Sequence, residues 1–406
     1  MTHATPSAGE RHLGLLAFLF AVAGGAAVGN LYWAQPLLSA IGDDLGVGPS
    51  ESGLLVTVSQ LGYAAGVFFL VPLGDTVNRR RMVPLMMTLS AVCLLGAALS
   101  PAFGVLLLCL GLTGVTTVSG QLLTPLIGDI ADDRRRGRAV GTVASGIVLG
   151  ILVARTLGGA IADALDWRAV YVFAAVVMLV MAALMAWLIP TLARRERVAY
   201  GPLLRSVYPT MWRHTSARIM LGLGAVVMCV FTLYWTALTF LLSAEPFGLG
   251  TRDIGLISLA GIAGAVAAQH AGRLFDRGWA SPATGLGLAL TLAALLVAGF
   301  GSGSLIAVIV SVALFSVGVQ AAMVLLQIGM LSIDPAARSR LNTAFVVTNF
   351  GAGSAGSAVA GPLWDAGGWT AVTVAACALV IAALGLWAVR DAAERRRRRA
   401  SGIRSA

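Results

Sequence analysis

The stretch from Gly137 to Val170, GRAVGTVASGIVLGILVARTLGGAIADALDWRAV, aligns without a gap on the stretch from Ser339 to Val372, SRLNTAFVVTNFGAGSAGSAVAGPLWDAGGWTAV. Arg138 falls on Arg340, Gly159 on Gly361, Asp163 on Asp365 and Trp167 on Trp369. At nearly the same offset, the LGD ending at Asp75 meets the LFD ending at Asp276. A chain that repeats itself at this distance builds one architecture twice. The two copies run in the same direction, so they are related by an axis along the membrane normal once the chain is shown to span a membrane.

Composition supplies that second premise. Hydrophobic residues make up 58% of the 406 positions and charged residues only 11%, against roughly 25% charged in soluble domains. The apolar residues form stretches of about 18 to 25, each long enough to cross a hydrocarbon core of about 30 Å as a helix. Barrel strands would be shorter and alternating. Six spans are expected near Leu13 to Leu38, Gly53 to Leu73, Met82 to Leu99, Phe103 to Ile127, Ala139 to Ala162 and Ala169 to Ile189. Six more are expected near Ile219 to Leu242, Ile254 to Ala271, Ala283 to Phe300, Leu305 to Leu326, Leu341 to Leu363 and Ala371 to Val389. The expected fold is an all-α membrane protein of twelve transmembrane helices in two six-helix, pseudo-symmetric bundles. Residues 1–193 form the first bundle, 194–218 a linker, 219–390 the second bundle and 391–406 a basic tail.

Arginines set the orientation, because short cytoplasmic loops collect positive charge. They cluster after spans two, four, six, eight and ten, as at Arg79 to Arg81, Arg134 to Arg138 and Arg194 to Arg218. The odd connections carry mostly acids, such as Asp43, Asp44, Glu245 and Asp365. Both termini are therefore expected in the cytoplasm, with the ERRRRR tail against the inner leaflet of a bacterial inner membrane. The formal charge of +10 follows from this topology and from attraction to anionic lipid, so no nucleic-acid partner is expected. Cys93, Cys109, Cys229 and Cys377 sit inside spans as small apolar fillers, and no disulfide framework is implied. The segment MTHATPSAGERH runs into the first span without a small-residue cleavage pattern, which reads as a retained helix.

The loop after span two, VPLGDTVNRRR, resembles the Gly-x-x-x-Asp-Arg-x-Gly-Arg-Arg loop of the major facilitator superfamily. It keeps Asp75, Arg79 and Arg80 but has Val71, Thr76 and Asn78 at other motif positions; GRLFDRG in the second half keeps Gly272, Asp276 and Arg277. The resemblance covers essentially the whole chain. It implies a conformational latch in which the loop aspartate meets a helix N-terminus and the arginines meet an acid at the end of span four, where Asp129 stands. The alternative is that these charges mark only the cytoplasmic surface. In span five, the Gly-Pro-x-x-Gly-Gly pattern of exporters in that superfamily reads ARTLGG, with Ala154 and Arg155 in place of Gly-Pro.

Arg155 is the residue that asks for a function. It lies eight residues before Asp163, so about 12 Å of helix separates it from the span end. Facing lipid there would cost about 2 kcal/mol or more, whereas facing a cavity largely avoids that. Gly146, Gly150, Ala154 and Gly158 recur every four positions, and Arg155 stands at the edge of that packing face. Either it snorkels or packs against carbonyls, or it faces a substrate cavity. No Asp or Glu lies deep in any span to neutralise it.

If spans one, four, seven and ten line a cavity, as the resemblance implies, their polar stripes supply the candidate substrate-binding residues. Span one offers Tyr32, Gln35 and Ser39, and span four Thr113, Thr117, Gly120 and Thr124. Span seven offers Thr232, Thr236 and Thr239 beside Tyr234 and Trp235; span ten offers Ser316, Gln320, Met323 and Gln327. A lone threonine serves equally well by bonding a carbonyl of its own helix. Asn30, Gln60, Tyr63 and Asn349 are stronger candidates, because amides and phenols need outside partners in hydrocarbon.

The expected function is secondary active transport, as proton-linked export of small organic molecules such as drugs or metabolites by alternating access. The alternative is an importer or exchanger of small organic anions with Arg155 as the clamp. No catalytic motif, metal or cofactor is expected, and a monomer is.

Overall fold

The computed structural model describes residues 8–74, 77–190, 200–201, 209, 212, 214–334 and 337–400, which among themselves form helices and no strand. Ten of these helices are long and apolar enough to cross a membrane. The last, Arg338–Ala400, is two helices joined where Gly367 and Gly368 leave helical geometry, with Gly368 at φ 59°. A left-handed residue is available to glycine at little cost, so the GG pair ends span eleven and starts span twelve. The apolar run Leu13–Gly29 is span one, which completes the twelve.

The chain forms two compact units, the first taking in Met1–Val47, Val58–Leu204 and Gly250–Leu256, the second Gly48–Thr57, Arg205–Leu249 and Ile257–Ala406. Each unit contains a short piece that the linear halves assign to the other repeat. The reason is visible in the contacts. In the first unit, Gly159 lies against Thr251 and Gly255, and the Thr251 hydroxyl donates to the Gly159 carbonyl at 3.2 Å. In the second unit its repeat mate Gly361 lies against Pro49 and Ser50, while Thr57 and Ser357 share a hydroxyl hydrogen bond at 2.9 Å. The Ser50 hydroxyl donates to Asp365.

Packing inside the first unit explains the spacing of its small residues. Gly146 meets Ala21, Gly150 meets Gly25, Ala154 meets Gly29, and Gly158 meets the Trp33 ring. Two rows with a spacing of four face one another, so spans one and five approach backbone to backbone. Between membrane helices, where lipid offers no less apolar surroundings than leucine does, such close van der Waals contact replaces the hydrophobic effect. Gly150→Leu is therefore expected to lower stability by about 1–3 kcal/mol or more. Gly141→Leu is the control, since a Cβ there meets nothing within 4 Å. Thermal unfolding of the two purified variants in detergent separates them; equal midpoints would refute the close-packing account.

Three spans depart from the continuous helices expected. Span one stops at Gly29, passes through a turn, and resumes as the 3-10 helix Gln35–Leu37 and the helix Leu38–Leu45. In the turn Asn30, Leu31 and Tyr32 donate three residues back, to Ala27, Val28 and Gly29. Pro36 lacks the N–H that a continuous helix would need. Span four breaks between Phe103–Thr116 and Ser119–Ile130, and span eight carries the 3-10 turn Ser258–Gly261. At the acidic ends of the first unit, Asp44 accepts from Arg168 at 2.7 Å and from the Trp167 indole at 3.1 Å. These donors hold the Asp44 carboxyl below the usual carboxylate range.

Candidate functional site

The breaks in spans one and four meet each other in the first unit. The Thr117 hydroxyl, at the break in span four, donates to the Ala27 carbonyl at the break in span one. Asn30 Nδ2 donates back to Thr117 Oγ1 at 3.3 Å, and Trp33 Nε1 donates to Asn30 Oδ1 at 3.0 Å. All three are buried. Backbone groups released by a broken helix must be satisfied inside the protein at this depth, and these side chains do part of that. Asn30 thus serves the helix breaks.

Arg155 lies beside this junction and is 2% exposed. Its Nε donates to Gln35 Oε1 at 2.8 Å, and its guanidinium stands 5.1 Å from the centre of the Tyr32 ring. A hydrogen bond in the guanidinium plane and a ring against its face fix the orientation of the planar fork. Gln35 and Tyr32 are carried by the broken part of span one, so the break brings them to Arg155. Tyr63 of span two accepts from Gln121 Nε2 at 2.9 Å. One turn back on the same face, Gln60 is fully buried, and neither of its amide atoms has a hydrogen-bond partner among the described residues. A buried unsatisfied amide costs about 1–3 kcal/mol, which marks a group that a polar ligand or water would complete.

In the second unit the candidates divide. Tyr234 shares a 2.7 Å hydrogen bond with Ser311 and stacks on Phe315 at 4.2 Å between ring centres, so its hydroxyl and ring serve the packing of spans seven and ten. Trp235 is buried with its ring edge-on to Tyr234. Gln320 packs against Gly264, and Gln327 donates to Asn342 at 3.1 Å. Asn349 is 2% exposed, and its Oδ1 has no hydrogen-bond donor among the described residues. It stands close to Gly224, where a Cβ would come within 2.8 Å of Oδ1. The threonine stripes mostly bond within their own helices, as Thr113 bonds Cys109, Thr124 bonds Gly120 and Thr232 bonds Met228, while Thr232 also donates across to the Gly353 carbonyl. Buried Thr236 has no partner for its hydroxyl among the described residues.

At the arginine-bearing end of the first unit, Arg79 is 8% exposed. Its Nε donates to the Gly74 carbonyl at 3.0 Å and its Nη1 to Asp129 Oδ2 at 3.1 Å. The loop makes this possible because Asn78 caps span three by accepting from the Arg80 N–H at 3.0 Å, which directs Arg79 inward and leaves Arg80 exposed. Asp75 lies outside the described residues. In the second unit Asp276 and Arg277 are exposed, and their side chains make no hydrogen bond or ion pair among the described residues.

Sequence reasoning passed over Trp33 and Gln121. Both carried a signal: Trp33 stands three residues after Asn30, and Gln121 stands one turn after Thr117.

Comparison with known proteins gives this geometry a context. Residues 13–359 match the model of the Major Facilitator Superfamily. The chain is 37% identical to the "Uncharacterized transporter YgaY" of Escherichia coli O157:H7, over 92% of this chain and 94% of that one. It is 36% identical to the "Probable transporter SCO4007" of Streptomyces coelicolor, over 92% and 87%. Among solved structures it resembles a bacterial homolog of the human lysosomal transporter Spinster, with a TM-score of 0.73 and 14% identity over 93% of this chain and 96% of that one.

Proposed function

The chain belongs to the major facilitator superfamily, and from that premise we propose that it is a secondary active transporter that exports small organic molecules in exchange for protons by alternating access. It is a transporter and not an enzyme, as its relatives are. The observation that supports a solute site is the buried group of Arg155, Gln35 and Tyr32 at the break in span one. Broken helices near mid-membrane are where transporters of this kind bind solutes, and the amides and phenols of Gln60, Tyr63 and Asn349 suit a moderately polar organic molecule. Flux into reconstituted vesicles, with and without a pH gradient, tests the reading. Uptake indifferent to the gradient would remove the proton.

A second reading, exchange or import of small organic anions, is favoured by the same arginine. A guanidinium keeps its charge through a transport cycle, so it is a poor choice for the group that gains and loses a proton. It can bind a carboxylate or phosphate. Vesicles offered a neutral and an anionic solute of matched size distinguish the two readings.

The proposed setting is the bacterial inner membrane, with the arginine-bearing ends and both termini in the cytoplasm. In a background freed of Cys93, Cys109, Cys229 and Cys377, Arg277→Cys is expected to stay unlabelled by an impermeant thiol reagent in whole cells. Glu245→Cys, also exposed, is expected to react. The reverse pattern would invert the topology.

A further inference from the structure

The first unit carries a groove of about 710 Å³ between spans one, five and six that the transport reading does not use. Its existence follows from the close packing of spans one and five. Gly25, Gly29, Gly146 and Gly150 bring the two backbones together and leave no side chains to fill the valley above them. The walls are apolar and outward-facing, with Phe18 58%, Leu149 54% and Val153 49% exposed. The groove runs from Arg138 to Leu157 along span five, about 28 Å and so close to the hydrocarbon thickness of about 30 Å. At its arginine-bearing mouth Arg138 is exposed, and its guanidinium has no hydrogen-bond or ion-pair partner among the described residues.

We propose that this groove is a specific site for an anionic phospholipid of the cytoplasmic leaflet, its headgroup on Arg138 and an acyl chain in the apolar valley. Charge complementarity selects this occupant. A basic side chain at the cytoplasmic end of a cleft between membrane helices attracts anionic headgroups, and Arg135 and Arg136 add positive charge one turn or less away. The same charges disfavour a second copy of the chain. A parallel dimer through this face would set arginine against arginine.

The test uses the full chain in vesicles containing phosphatidylglycerol or phosphatidylcholine with the same photoreactive acyl chain, and maps the crosslinked peptides by mass spectrometry. Labelling of spans one and five by phosphatidylglycerol is expected to exceed that by phosphatidylcholine about fivefold, the weight of one arginine at an anionic surface. Arg138→Gln should bring that ratio close to one. Gly141→Leu, which places a side chain in open space beside the mouth, should reduce labelling by both lipids. Equal labelling by the two lipids in the unaltered chain, or a ratio that Arg138→Gln leaves unchanged, overturns the proposal. So does an unlabelled groove, and a crosslinked dimer in that case would assign the face to a second copy. Because bound lipid is read directly, the result stands apart from any result on solute flux.

Discussion

Arg155→Gln is expected to reach the membrane at the wild-type level and to lose transport of anionic solutes by about 30-fold or more. The size follows from truncating one partner of a buried, hydrogen-bonded charge pair, which costs about 2–5 kcal/mol. Insertion should survive, because glutamine is smaller, uncharged and still able to bond Gln35, from which Arg155 Nε is now 2.8 Å away. Arg155→Lys is the informative intermediate. It keeps the charge but loses the planar fork that Gln35 and the Tyr32 ring orient, so it should transport weakly rather than not at all. Flux of matched neutral and anionic compounds, normalised to inserted protein, is the measurement. Unchanged rates for both in Arg155→Gln would make the residue a packing arginine and end the anion reading.

Why Arg155, Gln35 and Tyr32 were visible in the sequence while the helix breaks that bring them together were not has a physical reason. Spanning helices and positive loops are demanded by the bilayer, residue after residue, and therefore leave a composition that can be read without coordinates. The repeat was legible because Gly159, Asp163 and Trp167 recur as Gly361, Asp365 and Trp369. Helix breaks leave a weaker trace. Gly29, Asn30 and Pro36 end span one early, yet glycine is also what close packing selects, and Gly25 and Gly150 show that use a few residues away. Thr117 illustrates the same ambiguity. In the sequence it is one threonine of a stripe; in the structure it bonds across to Ala27 while its neighbours Thr113 and Thr124 bond within their own helix. The contacts of Gly159 with Thr251 and of Gly361 with Pro49 and Ser50 were illegible for another reason. They join residues far apart in the chain, and only their shared place in the repeat hints that one implies the other.

The same repeat offers an internal control for a latch role of this loop, and makes Asp129→Asn the second large effect expected. Arg79 is nearly buried and divided between the Gly74 carbonyl and Asp129, whereas Asp129 is about a quarter exposed. Neutralising the acid removes the Asp129 charge that offsets part of the desolvation of the buried Arg79. Solvent reaches the Asp129 side, so the coupling should be about 1–2 kcal/mol rather than the value for a fully buried pair. In a carrier, an interaction made in one state and broken in the other sets the populations of both, and a change of that size shifts their ratio roughly 5- to 30-fold. Flux should therefore fall far more than membrane expression does. Arg79→Gln should do the same, and the double variant should lose less than the sum of the two singles, because both substitutions remove the same Arg79–Asp129 contact. Asp276→Asn in the other repeat should leave flux nearly intact, since its side chain makes no pair among the described residues. Strict additivity of Arg79→Gln and Asp129→Asn, or an Asp276→Asn variant as impaired as Asp129→Asn, would show that the loop marks the cytoplasmic surface without governing the cycle.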